Sequence, residues 1–274
     1  MNQQIQRIML NNGTSMPILG LGVFKVGDGD AAKDVVSYAL KHGYRSIDTA
    51  SVYGNERGVG LGLASSGIPR EEIFLTSKVF NNEQGYKETL EAYNRSLDKL
   101  QVSYLDLYLV HWPVKGKFLD TYRALVDLYH EGKVKAIGVS NFQISHLKSI
   151  MENFDVIPAV NQIELHPLLQ QHTLRDFCAL NNIAIEAWSP LMKGNLEIPL
   201  LQEIGKKYHK SVAQVTLRWH IQNNSIAIPK SVHFSYIREN FDIFDFSLSE
   251  EEMGEIATLN QDKRFGPNPD NFDF

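Results

Sequence analysis

Four ionisable residues stand out by type and placement. Asp48 closes the run Arg45-Ser-Ile-Asp, Lys78 follows Phe74-Leu-Thr-Ser, His111 follows Leu107-Tyr-Leu-Val, and Tyr53 lies five residues beyond Asp48 in Asp48-Thr-Ala-Ser-Val-Tyr-Gly-Asn-Glu. Reduction of a carbonyl needs a hydride donor, an acid for the carbonyl oxygen and a polar setting for the developing alkoxide. Side chains of these types supply the last two. A free tyrosine titrates near pH 10, and an adjacent ammonium stabilises the phenolate, so Lys78 is expected to make the Tyr53 proton easier to transfer near neutrality. Asp48 is the carboxylate that would keep Lys78 charged and in place despite burial. His111 would orient the carbonyl oxygen through a hydrogen bond. Taken singly, each has a plainer role: a cap, a packing tyrosine, a solvated cation, a satisfied histidine. Only their convergence at strand ends favours chemistry.

That convergence depends on the elements. Short runs rich in β-branched residues alternate along the chain with longer stretches of helical period, the pattern of repeated βα units. Eight strands are expected: Leu19–Gly22, Ser46–Asp48, Phe74–Ser77, Leu105–His111, Val134–Val139, Ala159–Gln162, Ala184–Ser189 and Ile226–Pro229. Helices fill the intervals, the first with Ala31, Val35, Tyr38 and Ala39 on one apolar face. Arg7 to Pro17 reads as a hairpin around Asn11-Asn12-Gly13 ahead of the main fold. An open dinucleotide-binding sheet would carry Gly-x-Gly-x-x-Gly after its first strand, but Gly20-Leu-Gly22-Val-Phe-Lys25 has lysine at the third position. Gly58-Val-Gly60-Leu-Gly62 begins a helix with no strand directly before it. Both sets read as tight-turn and helix-packing glycines. The expected fold is therefore a (β/α)8 TIM barrel, a single domain over 1–274, in which Asp48, Lys78 and His111 fall on the C-terminal face where barrels place their sites. The tail from Arg264 to Phe274 is rich in glycine, proline and aromatics and is expected to fold over the barrel mouth.

Composition narrows the partners. The chain has 274 residues with 43% hydrophobic content and a formal net charge of −5, so it offers a large core and no broad positive field for nucleic acid or an anionic membrane. No apolar run is long enough to span a bilayer. Cys178 is the only cysteine, which excludes an internal disulfide and favours a reducing, cytoplasmic setting. A small-molecule carbonyl substrate fits best, with the chain a monomer or a weak homo-oligomer.

The sequence resembles the aldo-keto reductase family, near the short bacterial enzymes that act on glyoxal, methylglyoxal and diketogluconate. Gly43-Tyr-Arg-Ser-Ile-Asp48-Thr-Ala-Ser-Val-Tyr53-Gly-Asn-Glu and Leu105-Asp-Leu-Tyr-Leu-Val-His111-Trp-Pro match its two signatures. Further agreement comes from Ile137-Gly-Val-Ser-Asn141-Phe, Val160-Asn-Gln162, Ala187-Trp188-Ser-Pro-Leu191 and Ile228-Pro-Lys230-Ser231, in order along the whole chain. The resemblance implies Tyr53 as the acid, Lys78 and Asp48 as its tuning pair and His111 as the orienting group. It also implies NADPH lying across the barrel mouth without a glycine fingerprint. Ser140, Asn141 and Gln162 would hold the nicotinamide carboxamide, and Trp188 would stack on the ring. Ser189, Pro190 and Leu191 would follow the pyrophosphate, and Lys230, Ser231 and Val232 would meet the adenosine 2′-phosphate. Glu239 and Asn240 would contact adenine. The family has arginine where this chain has Tyr236, which can stack on adenine but cannot make a bidentate phosphate contact. Arg238 lies about 200° away around a helix, so NADH use stays open. Val23, Phe24, Phe80 and Trp112, with His111, are the expected substrate wall. A redox-silent NADPH-binding sensor on the same fold and a barrel isomerase are the rival readings. The four residues together argue against the first, and Trp188 with no glycine-rich phosphate loop against the second.

Overall fold

The computed structural model describes residues 6–272 and 274; the first five residues of the N-terminal segment and Asp273 of the tail lie outside the described residues. Strands β1 (Arg7–Met9) and β2 (Ser15–Pro17) pair antiparallel around Asn11-Asn12-Gly13, where Gly13 takes a φ of +82° that β-carbon-bearing residues avoid. Asn11 and Asn12 donate to the carbonyls of Pro158 and Lys135 at 3.0 and 2.8 Å.

The main sheet runs in sequence order through β3 (Leu21–Gly22), β4 (Ser46–Asp48), β5 (Phe74–Val79), β6 (Leu105–Val110), β7 (Val134–Ser140), β8 (Val160–Glu164), β9 (Ala184–Trp188) and β10 (Ile226–Ala227), every pair parallel. The cylinder closes where Leu19 bridges Ala227: Gly20 N–H donates to Ala227 O at 2.9 Å and Ala227 N–H to Ile18 O at 3.0 Å. Lys135 is the second residue of β7 and Pro158 precedes β8, so the hairpin sits against the N-terminal end of the barrel, away from its mouth. A β-carbon at Gly22 would lie 2.9 Å from Ile228 O, and one at Gly20 2.9 Å from Ser46 Oγ. These two glycines therefore permit close approach of strands at the seam; they are not turn residues.

Helices α1 (Asp30–Lys41), α2 (Glu56–Ser66), α3 (Tyr86–Leu100), α4 (Phe118–His130), α5 (Ile144–Asn153), α6 (His172–Leu180), α7 (Pro199–Tyr208) and α8 (Val212–Gln222) occupy the connections, and α9 (Phe234–Phe241) and α10 (Glu250–Ala257) follow β10 ahead of the tail. The buried face of α1 is Ala32, Val35, Val36, Ala39 and Leu40. The expected face was misplaced by one position, because Ala31 is exposed and Tyr38 only half-buried. The glycines of α2 are packing positions: β-carbons at Gly58, Gly60 and Gly62 would collide with the Gly29 backbone, the Leu100 carbonyl and Val36, respectively. Among the described residues, no helix is long and apolar enough to cross a membrane.

Candidate active site

Alternate side chains of a strand share a face, and the register makes that face a site. Asp48, last in β4, pairs with Thr76, and Lys78 lies two residues further along β5 opposite Leu109. Because the ladder runs on to Val79–Val110, Lys78 lies inside β5 and not just beyond its end as expected. His111 follows β6, its amide donating to Val79 O at 3.1 Å. Tyr53 ends a 3-10 turn, Ser51–Tyr53, and Gly54 leaves it with a φ of +67°.

The structure brings these four side chains together at the C-terminal end of the barrel. Lys78 Nζ is fully buried and donates to Asp48 Oδ1 at 2.6 Å, Thr49 O at 3.0 Å and the Tyr53 hydroxyl at 3.3 Å. Burial alone would favour the neutral amine, but the charge and hydrogen bond of Asp48 outweigh it and hold the lysine pKa above its ordinary value. The Tyr53 ring packs between Phe24, with centroids 5.0 Å apart, and the edge of His111 at 5.8 Å. Its phenol does not follow the simple expectation of a lowered pKa. Burial around the hydroxyl, with the Asp48 and Glu186 carboxylates adding to it, outweighs Lys78 and leaves the pKa raised. His111 is pushed well below its usual range by burial and by the charge of Lys78. It is therefore a neutral imidazole, and its Nδ1 has no partner among the described residues.

Behind this group lies Glu186, a residue that sequence reasoning missed. Gln162 Nε2 donates to Asp48 Oδ2 at 2.8 Å and to Glu186 Oε2 at 2.7 Å. Glu186 is completely buried in β9, and burial, then the charge of Asp48, lifts its carboxyl to about 8. The available signal was an acid in the middle of Ala184-Ile-Glu-Ala-Trp, a strand that a barrel covers on both faces.

The residues expected to hold a cofactor are distributed as follows. Ser140 Oγ donates to Gln162 O at 3.0 Å, and Asn141, at a φ of +65°, donates to His111 O at 3.0 Å while accepting from Trp188 Nε1 at 2.8 Å. Trp188 keeps partial exposure, as do Ser189 and Leu191, whereas Pro190 is buried. Beyond β10, Lys230 and Val232 are exposed and Ser231 is buried. On α9, Tyr236 is 55% exposed and edge-on to His233, with Glu239 partly buried and Asn240 buried. These side chains fit a nicotinamide dinucleotide: among the described residues no donor reaches Gln162 Oε1, a partly exposed indole ends the neighbouring strand at Trp188, and Lys230 is exposed and available to a phosphate.

Of the expected substrate wall, Phe80 packs edge-on against His111 at 5.5 Å and Phe24 is 52% exposed. Val23 is completely buried in the hydrophobic core. Trp112 is covered by the tail, with Phe272 and Phe274 ring centroids at 5.0 and 5.2 Å. The tail crosses the mouth as expected. Near Trp188 it is held by Phe265 and Gly266 N–H groups donating to the Glu164 carboxylate at 2.7 and 3.1 Å. At its far end Asn81 donates to Phe274 O at 2.8 Å.

The sequence profile of the aldo/keto reductase family matches residues 18–261. Glyoxal reductase of Bacillus subtilis (strain 168) is 55% identical over 264 residues, 96% of each chain. The 9,11-endoperoxide prostaglandin H2 reductase of Trypanosoma cruzi (strain CL Brener) is 52% identical over 276 residues, covering 99% of this chain and 98% of that one. Among solved structures, a mutant of Gox0644 in complex with NADPH is 45% identical, with a TM-score of 0.95 over 98% of this chain and 99% of that one.

Proposed function

This chain belongs to the aldo/keto reductase family, and from that premise we propose that it reduces small aldehydes, ketones or dicarbonyls, such as glyoxal and methylglyoxal, to alcohols at the expense of NADPH. The observation that carries the reading is the Tyr53 hydroxyl, 3.3 Å from an ammonium that is itself tied to Asp48, beside a neutral imidazole. When bound, the cofactor supplies a hydride to the carbonyl carbon. The chain's own residues do the rest. Tyr53 gives its proton to the carbonyl oxygen, and the phenolate left behind is stabilised by Lys78. That step offsets the raised pKa of the free phenol, because the acid is needed only as negative charge develops on the oxygen beside it. Asp48 holds Lys78 charged and fixed, and His111 donates a hydrogen bond that orients the carbonyl. Tyr53 is then reprotonated from solvent.

In this reading Ser140, Asn141 and Gln162 hold the carboxamide, Trp188 stacks on the ring, and Ser189, Pro190 and Leu191 follow the pyrophosphate. Lys230, Ser231, Val232, Tyr236, Glu239 and Asn240 take the adenosine end. Phe24, Phe80 and Trp112 form the apolar side of the substrate pocket, its outer wall completed by the tail. Small dicarbonyls are favoured by the name of the Bacillus subtilis relative; the Trypanosoma cruzi relative, at nearly the same identity, carries a very different substrate in its name, so the pocket and not the catalytic group sets the substrate. Purified protein mixed with NADPH and methylglyoxal is expected to lose absorbance near 340 nm. No consumption across a broad aldehyde panel would overturn the proposal.

A further inference from the structure

Two carboxyl groups face one amide nitrogen inside the barrel. Gln162 Nε2 carries two hydrogens; one goes to Asp48 Oδ2 at 2.8 Å and the other to Glu186 Oε2 at 2.7 Å. Asp48 is the ionised partner of Lys78, so it can only accept, and an amide oxygen turned towards it would meet a carboxylate oxygen at hydrogen-bond distance. Asp48 therefore decides which end of the amide faces inward. A single hydrogen bond still leaves the amide free to swing about that contact. The second bond, to Glu186, fixes its plane.

A carboxyl at position 186 carries a burial cost. It is completely buried, its Oε1 has no partner among the described residues, and the charge of Lys78, which Asp48 already pairs, only partly offsets that burial. An apolar side chain there would avoid the cost of burying an acid. The neutral form that burial and Asp48 favour still accepts a hydrogen bond through its carbonyl oxygen.

We infer that Glu186 is a positioning residue that, together with Asp48, clamps the Gln162 amide by its nitrogen so that Gln162 Oε1 is presented to the carboxamide N–H of the nicotinamide. This rests on the reading that the mouth binds a nicotinamide dinucleotide. Glu186 itself touches neither cofactor nor substrate; it acts through Gln162.

The test is calorimetric binding to the full chain with two probes, NADPH and adenosine 2′,5′-bisphosphate, the second of which lacks the nicotinamide. Glu186→Met removes the acceptor at similar length, and Glu186→Gln keeps one. Glu186→Met is expected to raise the NADPH dissociation constant about tenfold, corresponding to about 1.4 kcal/mol, and to leave bisphosphate binding within about twofold. Glu186→Gln is expected to bind both probes as the wild type does. Glu186→Val, at home in a strand, carries the same expectation as the Met variant should that one fail to fold. NADPH binding at wild-type strength in the acceptor-less variants would overturn the inference, as would equal weakening of both probes, the mark of a merely structural role. A wild-type protein that binds neither probe would instead overturn the functional reading and take the clamp with it.

Discussion

At the scale of single residues, the chemistry depends on Lys78 using its three donors on three acceptors, one of them the Tyr53 hydroxyl. Asp48, Lys78 and His111 could be singled out in the sequence because each closes or directly follows a strand-like run, and Tyr53 because it lies in the loop five residues beyond Asp48. Glu186 could not be given a partner, because what it meets depends on the register of β8 against β9, and a one-residue slip would turn it away. The direction of the Tyr53 pKa was also hidden, since burial outweighs the neighbouring ammonium only once the packing is known. Tyr236 carries the prediction at this scale. It is exposed at the adenosine end and has no charge to offer a 2′-phosphate. Tyr236→Arg should lower the Michaelis constant for NADPH about tenfold, as one charge-assisted contact would, without changing that for NADH. An equal response to both cofactors would show that residue 236 lies away from the 2′-phosphate.

At the scale of elements, strand existence and order were legible from alternating apolar runs, and strand ends were not. β5 extends to Val79 and β8 to Glu164 because neighbouring ladders continue beyond the point where the apolar pattern weakens. The tail was legible as irregular, from its glycine and proline content, but its anchors were not. Burial would raise the Glu164 carboxyl, but hydrogen bonds from His166 and from the N–H groups of Phe265 and Gly266 bring it below its ordinary value. This locks the tail against Trp188, and a β-carbon at Gly266 would collide with the indole. Gly266→Ala should therefore shift Trp188, weaken NADPH binding roughly fivefold, a cost of about 1 kcal/mol, and change tryptophan emission, with the barrel's unfolding temperature little altered. Unchanged binding and emission would mean that the tail gives way and Trp188 stays in place.

At the scale of the whole molecule, one closed parallel sheet provides both a core and a polar interior at the mouth, and the unfolded chain shares neither. Buried histidines make that difference measurable. Burial pushes His220 down to about 3 from 6.5. A depressed histidine pKa means that the folded state stays neutral while the unfolded state takes up a proton below 6.5. The stability contributed is fully present above 6.5 and is lost as pH falls towards the folded value, about 2 kcal/mol of it by about pH 5. His220→Gln should accordingly flatten the fall in unfolding temperature between about pH 6.5 and 5, and an unchanged slope would place the titration elsewhere. The function itself is tested most directly by comparing wild type with Tyr53→Phe, following NADPH consumption with methylglyoxal near 340 nm and measuring the NADPH dissociation constant of each. With Tyr53 as the acid, the wild type turns over, and the variant loses turnover by about 100-fold or more while binding NADPH within about twofold. Wild-type turnover in Tyr53→Phe would contradict it.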